Sequence, residues 1–539
     1  MKIYGSWVLL VLLFVLSPLY AQEDIVFEGM IDDTSPTASF SVELNEGDVI
    51  GVYAVPVDGD LDPTVEIREP DGDIGAYNDN ATPDTVNATV FYTATESGRY
   101  TVIVGRYTFE PTSGSFLLTI EFLEEEPQPS VADWRGASDG DRYVLSGSPR
   151  TYETEHFIIH YTLSGDDATT DRYAEIVGQV FEYAWQLQIE ELGWPPPPPD
   201  YGRGGDDRYD VYIGNVLGRY GSALAYASPD ADLAGDNPFT EAVEQVAAPS
   251  HIVIENGFTE IDESTLDMLY TTAAHEFNHA VQFNFDFMEP HTWYFEATAV
   301  WIETISNRIS DDAWEYSDNN LSYNEVCFGT VSEDPSGSLI YGDWLFLQSL
   351  VDRYGADIIQ TLWQEIGEYD GFNALSKALE RYGDNVPDAL ERYRLQNLLG
   401  DYKIETAFVN TLTLTDRIRQ TGVIHAQTGV QELGANYYDV RLPRGLYRVN
   451  FESEDGLHLW AVGILGDVAE LINLEQGGVI DTDAYDFNYL VVFNPNYDNN
   501  VDSCRSALYT ITISQVDGEG IQRTAPSDTL SAEKFQPVR

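Results

Sequence analysis

Hydrophobic positions recur along this chain with two different periods, and the change of period divides it. Between residues 25 and 123 the period is two. Ala38-Ser-Phe-Ser-Val-Glu-Leu44 alternates apolar and polar side chains, and 49–55, 88–92, 100–104 and 116–122 repeat the pattern between Gly, Asp and Pro turns. Alternation turns one face of each strand toward a core, so this region predicts a β-sandwich. From residue 151 the two periods mix. His156-Phe-Ile-Ile-His-Tyr161, Tyr209-Asp-Val-Tyr-Ile213 and His251-Ile-Val-Ile254 read as strands, with Ser222-Ala-Leu-Ala-Tyr226 as an edge strand. The stretch 171–192 carries Ile176, Val180, Ala184 and Leu187 along one helical face. A second stripe, Leu266, Leu269, Tyr270, Ala273, Phe277 and Ala280, follows Ser264-Thr-Leu-Asp267. That tetrapeptide has the form of a capping box and puts the helix start near 264. Further helices are predicted over 341–354, ended by Gly355, and over 358–366, 372–382 and 386–399. Residues 404–516 return to period two, and 437–451 and 507–513 echo 40–53 and 115–120. A second sandwich of similar plan is predicted there.

The segments between these blocks have no periodicity. Glu124-Glu-Glu-Pro-Gln-Pro-Ser130 opens a linker over 124–150, Pro195 to Pro199 form a stiff polyproline connection, and 517–539 read as a disordered tail. Met1-Lys2, an apolar run from Val8 to Leu16 and Ala21 have the form of a signal peptide over 1–21. The run is too short for a membrane span, which takes about 20 apolar residues. The mature chain is therefore expected to be exported, soluble and monomeric. Cys327 and Cys504 can pair in an oxidising compartment, which would tie the middle region to the C-terminal one, or remain separate buried thiols.

The chain has 539 residues, 43% of them hydrophobic, enough for about three domains with packed cores. Its formal net charge of −64 repels nucleic acid and anionic membranes. The same charge keeps an exported protein soluble, and it suits cationic ligands or bound calcium.

The second helical stripe contains the chemistry. His275-Glu276-Phe277-Asn278-His279 places two imidazoles four residues apart, on one face of a helix and away from the apolar stripe. Such a pair can hold one metal ion, with Glu276 as base on a water. The bland alternative is two core histidines, but the chain has only 8 in all. Next comes Trp293-Tyr-Phe-Glu296-Ala-Thr-Ala-Val-Trp-Ile-Glu303, with Glu296 17 positions after His279. His156, His160 and His251 sit in strand patterns and read as structural.

This pair of stretches resembles the gluzincin zinc peptidases, in which a Glu ligand on the following helix completes the site. Trp293, Glu296, Ala297, Ala299 and Glu303 match the pattern of their second helix. The wording around the motif is similar to that of a group of secreted bacterial metalloproteases of this type. The interval is slightly short and requires a tight turn over 286–291. Glu303 and Asp286 remain alternative third ligands. A metzincin pattern is excluded, since it needs Gly and a further His within six positions of the second His, and this chain has Phe283 and Phe285 in that region. The resemblance implies Zn²⁺ on His275, His279 and Glu296, an α+β zincin-like domain over 151–403 and an edge strand that pairs with an extended peptide. It also implies a Tyr that polarises the scissile carbonyl. Tyr341 heads the first later helix and is the candidate, with His291 as rival.

Residues 25–123, with Glu69-Pro-Asp-Gly72, Asn78-Asp-Asn80 and Ser97-Gly-Arg-Tyr100, resemble the bacterial pre-peptidase C-terminal domain. That domain usually follows a peptidase; here it precedes one. The resemblance implies an accessory binding module. Asp60, Asp62 and Asp79 are candidate Ca²⁺ ligands, against the plainer reading of solvated acidic turns. The expectation is thus a multidomain secreted zinc endopeptidase acting on protein or peptide, flanked by all-β sandwiches. An inactive adhesin on the same scaffold and another zinc hydrolase are the alternatives.

Overall fold

The computed structural model describes residues 25–123 and 142–538, apart from 32–34, 46, 58, 60, 62, 71, 73, 79–87, 96, 107–111, 221–222, 241–243, 245, 259–262, 307–311, 331–337, 405–410, 427, 454–455, 500–503 and 517–520. The signal-peptide region, Asp60, Asp62 and Asp79, and the linker up to residue 141 lie outside the described residues. The chain divides into two units, 1–130 and 131–539.

In the first unit two antiparallel four-stranded sheets share one core. One sheet has the order Ile25–Ile31, Gly114–Leu123, Val49–Pro56, Ala88–Thr93; the other has Ala38–Leu44, Gly98–Arg106, Pro63–Arg68, Ile74–Asn78. Ile50, Val52, Leu118 and Ile120 of the first sheet meet Val65, Ile67, Val102 and Val104 of the second. The period-two pattern has this cause: every second side chain is withdrawn from water.

The second unit is built on a five-stranded sheet of order Ala225–Pro229, Ser250–Glu255, Tyr209–Gly214, Phe157–Thr162, Pro149–Glu153. The three central strands are mutually parallel and the two edges run antiparallel. Every residue of the central strands is buried, because both faces are covered. On one face Phe157, Ile159, Val211 and Ile252 pack in a common core with Phe181 of the helix Asp171–Trp185 and Phe277 of the helix Glu263–Gln282. Thr170 caps the former helix by accepting from the Tyr173 backbone N–H at 3.1 Å. The opposite face is ionic. Arg142 donates to Asp200 and Asp210 at 2.7 Å each and to Asp230 at 2.5 Å, and His160 Nε2 lies 2.7 Å from Asp210.

Three expectations are corrected here. The linker does not reach residue 150: Arg142 is buried in the unit and the first edge strand begins at Pro149. The helix predicted over 171–192 is α-helical only to Trp185 and continues as a π-helical turn, Gln186–Glu191. The tail is not disordered throughout, since Asp528–Ser531 adds an antiparallel strand to the edge strand Val468–Asn473. An open sheet edge offers unpaired backbone groups whatever the side chains are, and this strand satisfies them.

Beyond the sheet the unit is helical: Trp293–Ile305, Asp312–Ser322, Leu339–Gly342, Trp344–Tyr354, Asp357–Ile366, Gly371–Arg381 and Val386–Leu399. The helix Asp312–Ser322 has no counterpart in the sequence reading, and the helix predicted over 341–354 breaks at Asp343. The last helix starts where Asn385 accepts from the Asp388 N–H at 3.0 Å and ends at Gly400, whose φ of 66° is the left-handed conformation glycine adopts without strain.

C-terminal to the helices stand a six-stranded and a four-stranded sheet, with a short two-stranded one. They belong to the same compact unit as the helices. A disulfide joins Cys327 to Cys504, the Ala435 N–H donates to the Asn324 carbonyl at 2.8 Å, and Tyr437 donates to the Arg394 carbonyl at 2.7 Å. Among the described residues no helix is long and apolar enough to cross a membrane.

Candidate metal centre

The helix Glu263–Gln282 runs beneath the sheet with Leu269, Ala273, Phe277 and Ala280 buried. Its stripe sets its rotation, and that rotation turns His275 and His279 to the other side. The next helix, Trp293–Ile305, is held by the buried Trp293, Tyr294, Val300 and Trp301. Glu296 lies in its first turn and points back at the two imidazoles. Among the described residues these three are the one group of His, Cys, Asp or Glu side chains arranged to hold a metal ion, with their ligand atoms within 4.8 Å of one another.

Glu296 Oε2 is 3.3 Å from His275 Nε2 and 3.8 Å from His279 Nε2. The atom is buried, and among the described residues it has no hydrogen-bond partner. An orphaned buried carboxylate oxygen is costly unless a cation meets it. Two imidazole nitrogens and one carboxylate oxygen are the donor set of a catalytic zinc site, in which ligands about 2.0–2.1 Å from one ion stand roughly 3.4 Å apart. The residues present therefore fit the group.

Both imidazoles are oriented from behind. Glu303 Oε1 lies 2.6 Å from His275 Nδ1, and Gln282 Oε1 lies 2.8 Å from His279 Nδ1. Each Nδ1 is thus engaged, and each Nε2 faces Glu296. Glu303 sits seven residues after Glu296, two turns along the same helix face, which brings it to the back of His275 rather than among the ligand atoms. Burial by itself lowers the His275 imidazolium, but Glu296 and Glu303 reverse this and hold it well above the ordinary value. Burial pushes the Glu296 carboxyl up, and the neighbouring His275 and His279 outweigh it, leaving it below the usual carboxylate range.

Glu276 is 8% exposed and stands on the side of the edge strand Ala225–Pro229, near the Ala227 backbone. Burial raises its pKa above the ordinary glutamate value, opposed by His275 and His279. Tyr341 stacks its ring over His275, centroids 6.5 Å apart at 21°, with its hydroxyl toward Glu296. Burial and the nearby carboxylates keep that hydroxyl protonated far above neutral pH.

The rivals go elsewhere. Asp286 accepts from the Met288 N–H at 2.6 Å, away from the ligand atoms. His291 is buried against Phe372 and Gly371, so close that a Cβ on Gly371 would lie 2.3 Å from its ring. The sequence reading missed the service role of Glu303 and the whole role of Gln282. The available signal was spacing: Gln282 is three residues after His279, on the same helix face.

No family model and no curated protein matches this chain. Among solved structures, the pre-peptidase C-terminal domain of a collagenase from Bacillus anthracis covers 18% of this chain and 89% of its own, at 14% identity and TM-score 0.16. The M60 catalytic domain with the CBM51-1 and CBM51-2 domains from Clostridium perfringens ZmpB covers 92% of this chain and 77% of its own, at 10% identity and TM-score 0.25. The IMPa metallopeptidase from Pseudomonas aeruginosa covers 66% of this chain and 44% of its own, at 10% identity and TM-score 0.18. These similarities are low.

Proposed function

We propose that the chain is a secreted zinc-dependent metalloendopeptidase. The observation that carries the reading is the convergence of His275 Nε2, His279 Nε2 and the orphaned Glu296 Oε2, with Glu276 beside them. His275, His279 and Glu296 hold the ion. Zn²⁺, when bound, supplies Lewis acidity that makes a water nucleophilic near neutral pH and polarises a carbonyl.

The chain's own residues do the rest. The edge strand Ala225–Pro229 borders the Glu276 side of the motif helix and offers its backbone to an extended peptide. Glu276 accepts the proton of the attacking water and returns it to the leaving amine. Tyr341 stays a hydroxyl donor at neutral pH and serves the oxyanion that forms at the scissile carbonyl. Glu303 and Gln282 keep both Nε2 atoms directed forward. The signal-peptide form of residues 1–21, the Cys327–Cys504 bridge and the absence of a spanning helix among the described residues agree with export.

The test is Glu276→Gln. The variant keeps the shape of the side chain and the ligand set but removes the base. It is expected to bind about one zinc per chain by elemental analysis and to cleave casein about 10²–10⁴-fold more slowly than wild type. Wild-type protein that folds and holds no zinc after dialysis against the metal overturns the proposal. So does equal cleavage by both proteins.

A further inference from the structure

Three amide side chains stand in line behind His279, each with no exposed surface: Gln188, Asn278 and Gln282. Gln188 Nε2 donates to the Ala274 backbone carbonyl at 2.8 Å. Asn278 Nδ2 donates to Gln188 Oε1 at 2.9 Å. Gln282 Nε2 donates to Asn278 Oδ1 at 2.7 Å and to the Phe295 carbonyl at 2.9 Å. Gln282 Oε1 is left facing His279 Nδ1 at 2.8 Å.

The two ends of an amide have the same shape, so chemistry must decide which way each one points. Here the ends of the line decide it. A backbone carbonyl can only accept. Ala274 therefore takes the NH₂ of Gln188, which turns the Gln188 oxygen to Asn278. Asn278 must then give its NH₂ to Gln188 and its oxygen to Gln282. Gln282 meets two acceptors, Asn278 Oδ1 and the Phe295 carbonyl, so its NH₂ is committed there and its oxygen faces the imidazole. Reversing any one amide would set acceptor against acceptor or donor against donor among side chains with no exposed surface, and the desolvation of each unmatched group would be left uncompensated.

We propose that Gln188, Asn278 and Gln282 form a positioning relay that holds His279 as the Nδ1–H tautomer, with the Nε2 lone pair turned to Glu296. The use of that lone pair for a metal rests on the function proposed above; the tautomer does not. A second observation points the same way. Gln188 lies in the π-helical turn Gln186–Glu191 that ends an otherwise α-helical segment, and such wide turns are rare and concentrate at functional sites. The two ligand histidines are thus held by different means. His275 has a carboxylate behind it and His279 a neutral amide whose direction is set on another helix.

The relay is tested on the full-length, chelator-stripped protein labelled with ¹⁵N-histidine. Long-range ¹H–¹⁵N correlation separates the two tautomers of each of the 8 histidines, and loss of one spin system in His279→Ala assigns His279. Wild type should show His279 protonated on Nδ1, and Gln282→Leu should lose that preference. Zinc affinity by chelator competition should fall about 10–100-fold in Gln282→Leu, the usual effect of removing a partner behind a ligand. An Nε2–H tautomer in wild type overturns the relay, and so does a Gln282→Leu that keeps the wild-type Nδ1–H preference at His279. If Gln282→Leu does not fold, the wild-type tautomer still decides. A wild type with the Nδ1–H tautomer but no zinc affinity would sink the peptidase reading and leave the relay standing.

Discussion

The five-stranded sheet has a buried polar cluster on each side, and the two clusters are completed in different ways. On one face Arg142 meets Asp200, Asp210 and Asp230, and Arg203 meets Asp232. The chain brings its own cations there, and the carboxylates are spoken for. On the other face, under the motif helix, His275, His279 and Glu296 turn their ligand atoms toward one another, and among the described residues Glu296 Oε2 has no hydrogen-bond partner. Burial alone would make both clusters costly. What separates them is the supplier of the positive charge. A cluster that carries its own is an anchor; on the function proposed above, one that leaves an oxygen orphaned between two imidazoles is a receptor.

The largest expected effect breaks the anchor. Arg142→Leu leaves three buried aspartates without their cation, although burial already pushes Asp200 up to about 8 and so eases its neutralisation. Removing one member of a buried ion network costs about 3–5 kcal/mol, and urea denaturation should show it, with or without zinc present. A loss below about 1 kcal/mol would mean that the cluster is not an anchor.

The next test sharpens the receptor side. Glu303→Leu removes the group behind His275 and leaves all three ligand atoms in place. Zinc affinity should fall about 10–100-fold, and the stability of metal-free protein should change far less than in Arg142→Leu. If Glu303→Leu instead abolishes zinc binding, Glu303 is a ligand and the roles of Glu296 and Glu303 need exchanging.

The smallest effect concerns a charge pair at the seam between the helices and the C-terminal sheets. His458 Nδ1 lies 2.8 Å from Glu391, which also accepts from Trp460 at 2.6 Å. The Glu391 carboxylate raises the His458 pKa above the ordinary histidine value, against the effect of burial. The folded state therefore binds this proton more tightly than the unfolded one. The stabilisation is complete below about pH 6.5, the unfolded value, and is lost as pH rises through the raised folded value. The pair is partly exposed, so the contribution should stay under about 1 kcal/mol. His458→Gln should flatten this part of the stability–pH curve, and an unchanged slope would show that the pair does not titrate with folding.

Local patterns were legible where one element's own period carries the information. His275 and His279 share a face because a helix repeats every 3.6 residues, and the strands of the first unit alternate because a sheet buries every second side chain. Glu296 could be named as a partner only through the resemblance of its helix to the second helix of the gluzincins, with Glu303 and Asp286 left as alternatives. Arg142 was not legible: it lies in a stretch without period, and its value depends on three aspartates at 200, 210 and 230 that only the folded sheet gathers. Gln188 and Asn278 look like ordinary polar positions of helices, and their burial is a property of the pairing between those helices. The strand Asp528–Ser531 has little apolar character of its own and exists because an edge was free to receive it.

By itself, then, the sequence determined the periods, and through them the strands, the motif helix and the rotation that turns His275 and His279 out of the core. Only the tertiary structure decided which carboxylate faces the lone pairs and which stands behind an imidazole. Glu296 and Glu303 are the same residue type, two turns apart on one helix, and nothing within that helix distinguishes them. Their difference lies in the crossing of two helices, which sets one carboxylate against Nε2 at 3.3 Å and the other against Nδ1 at 2.6 Å.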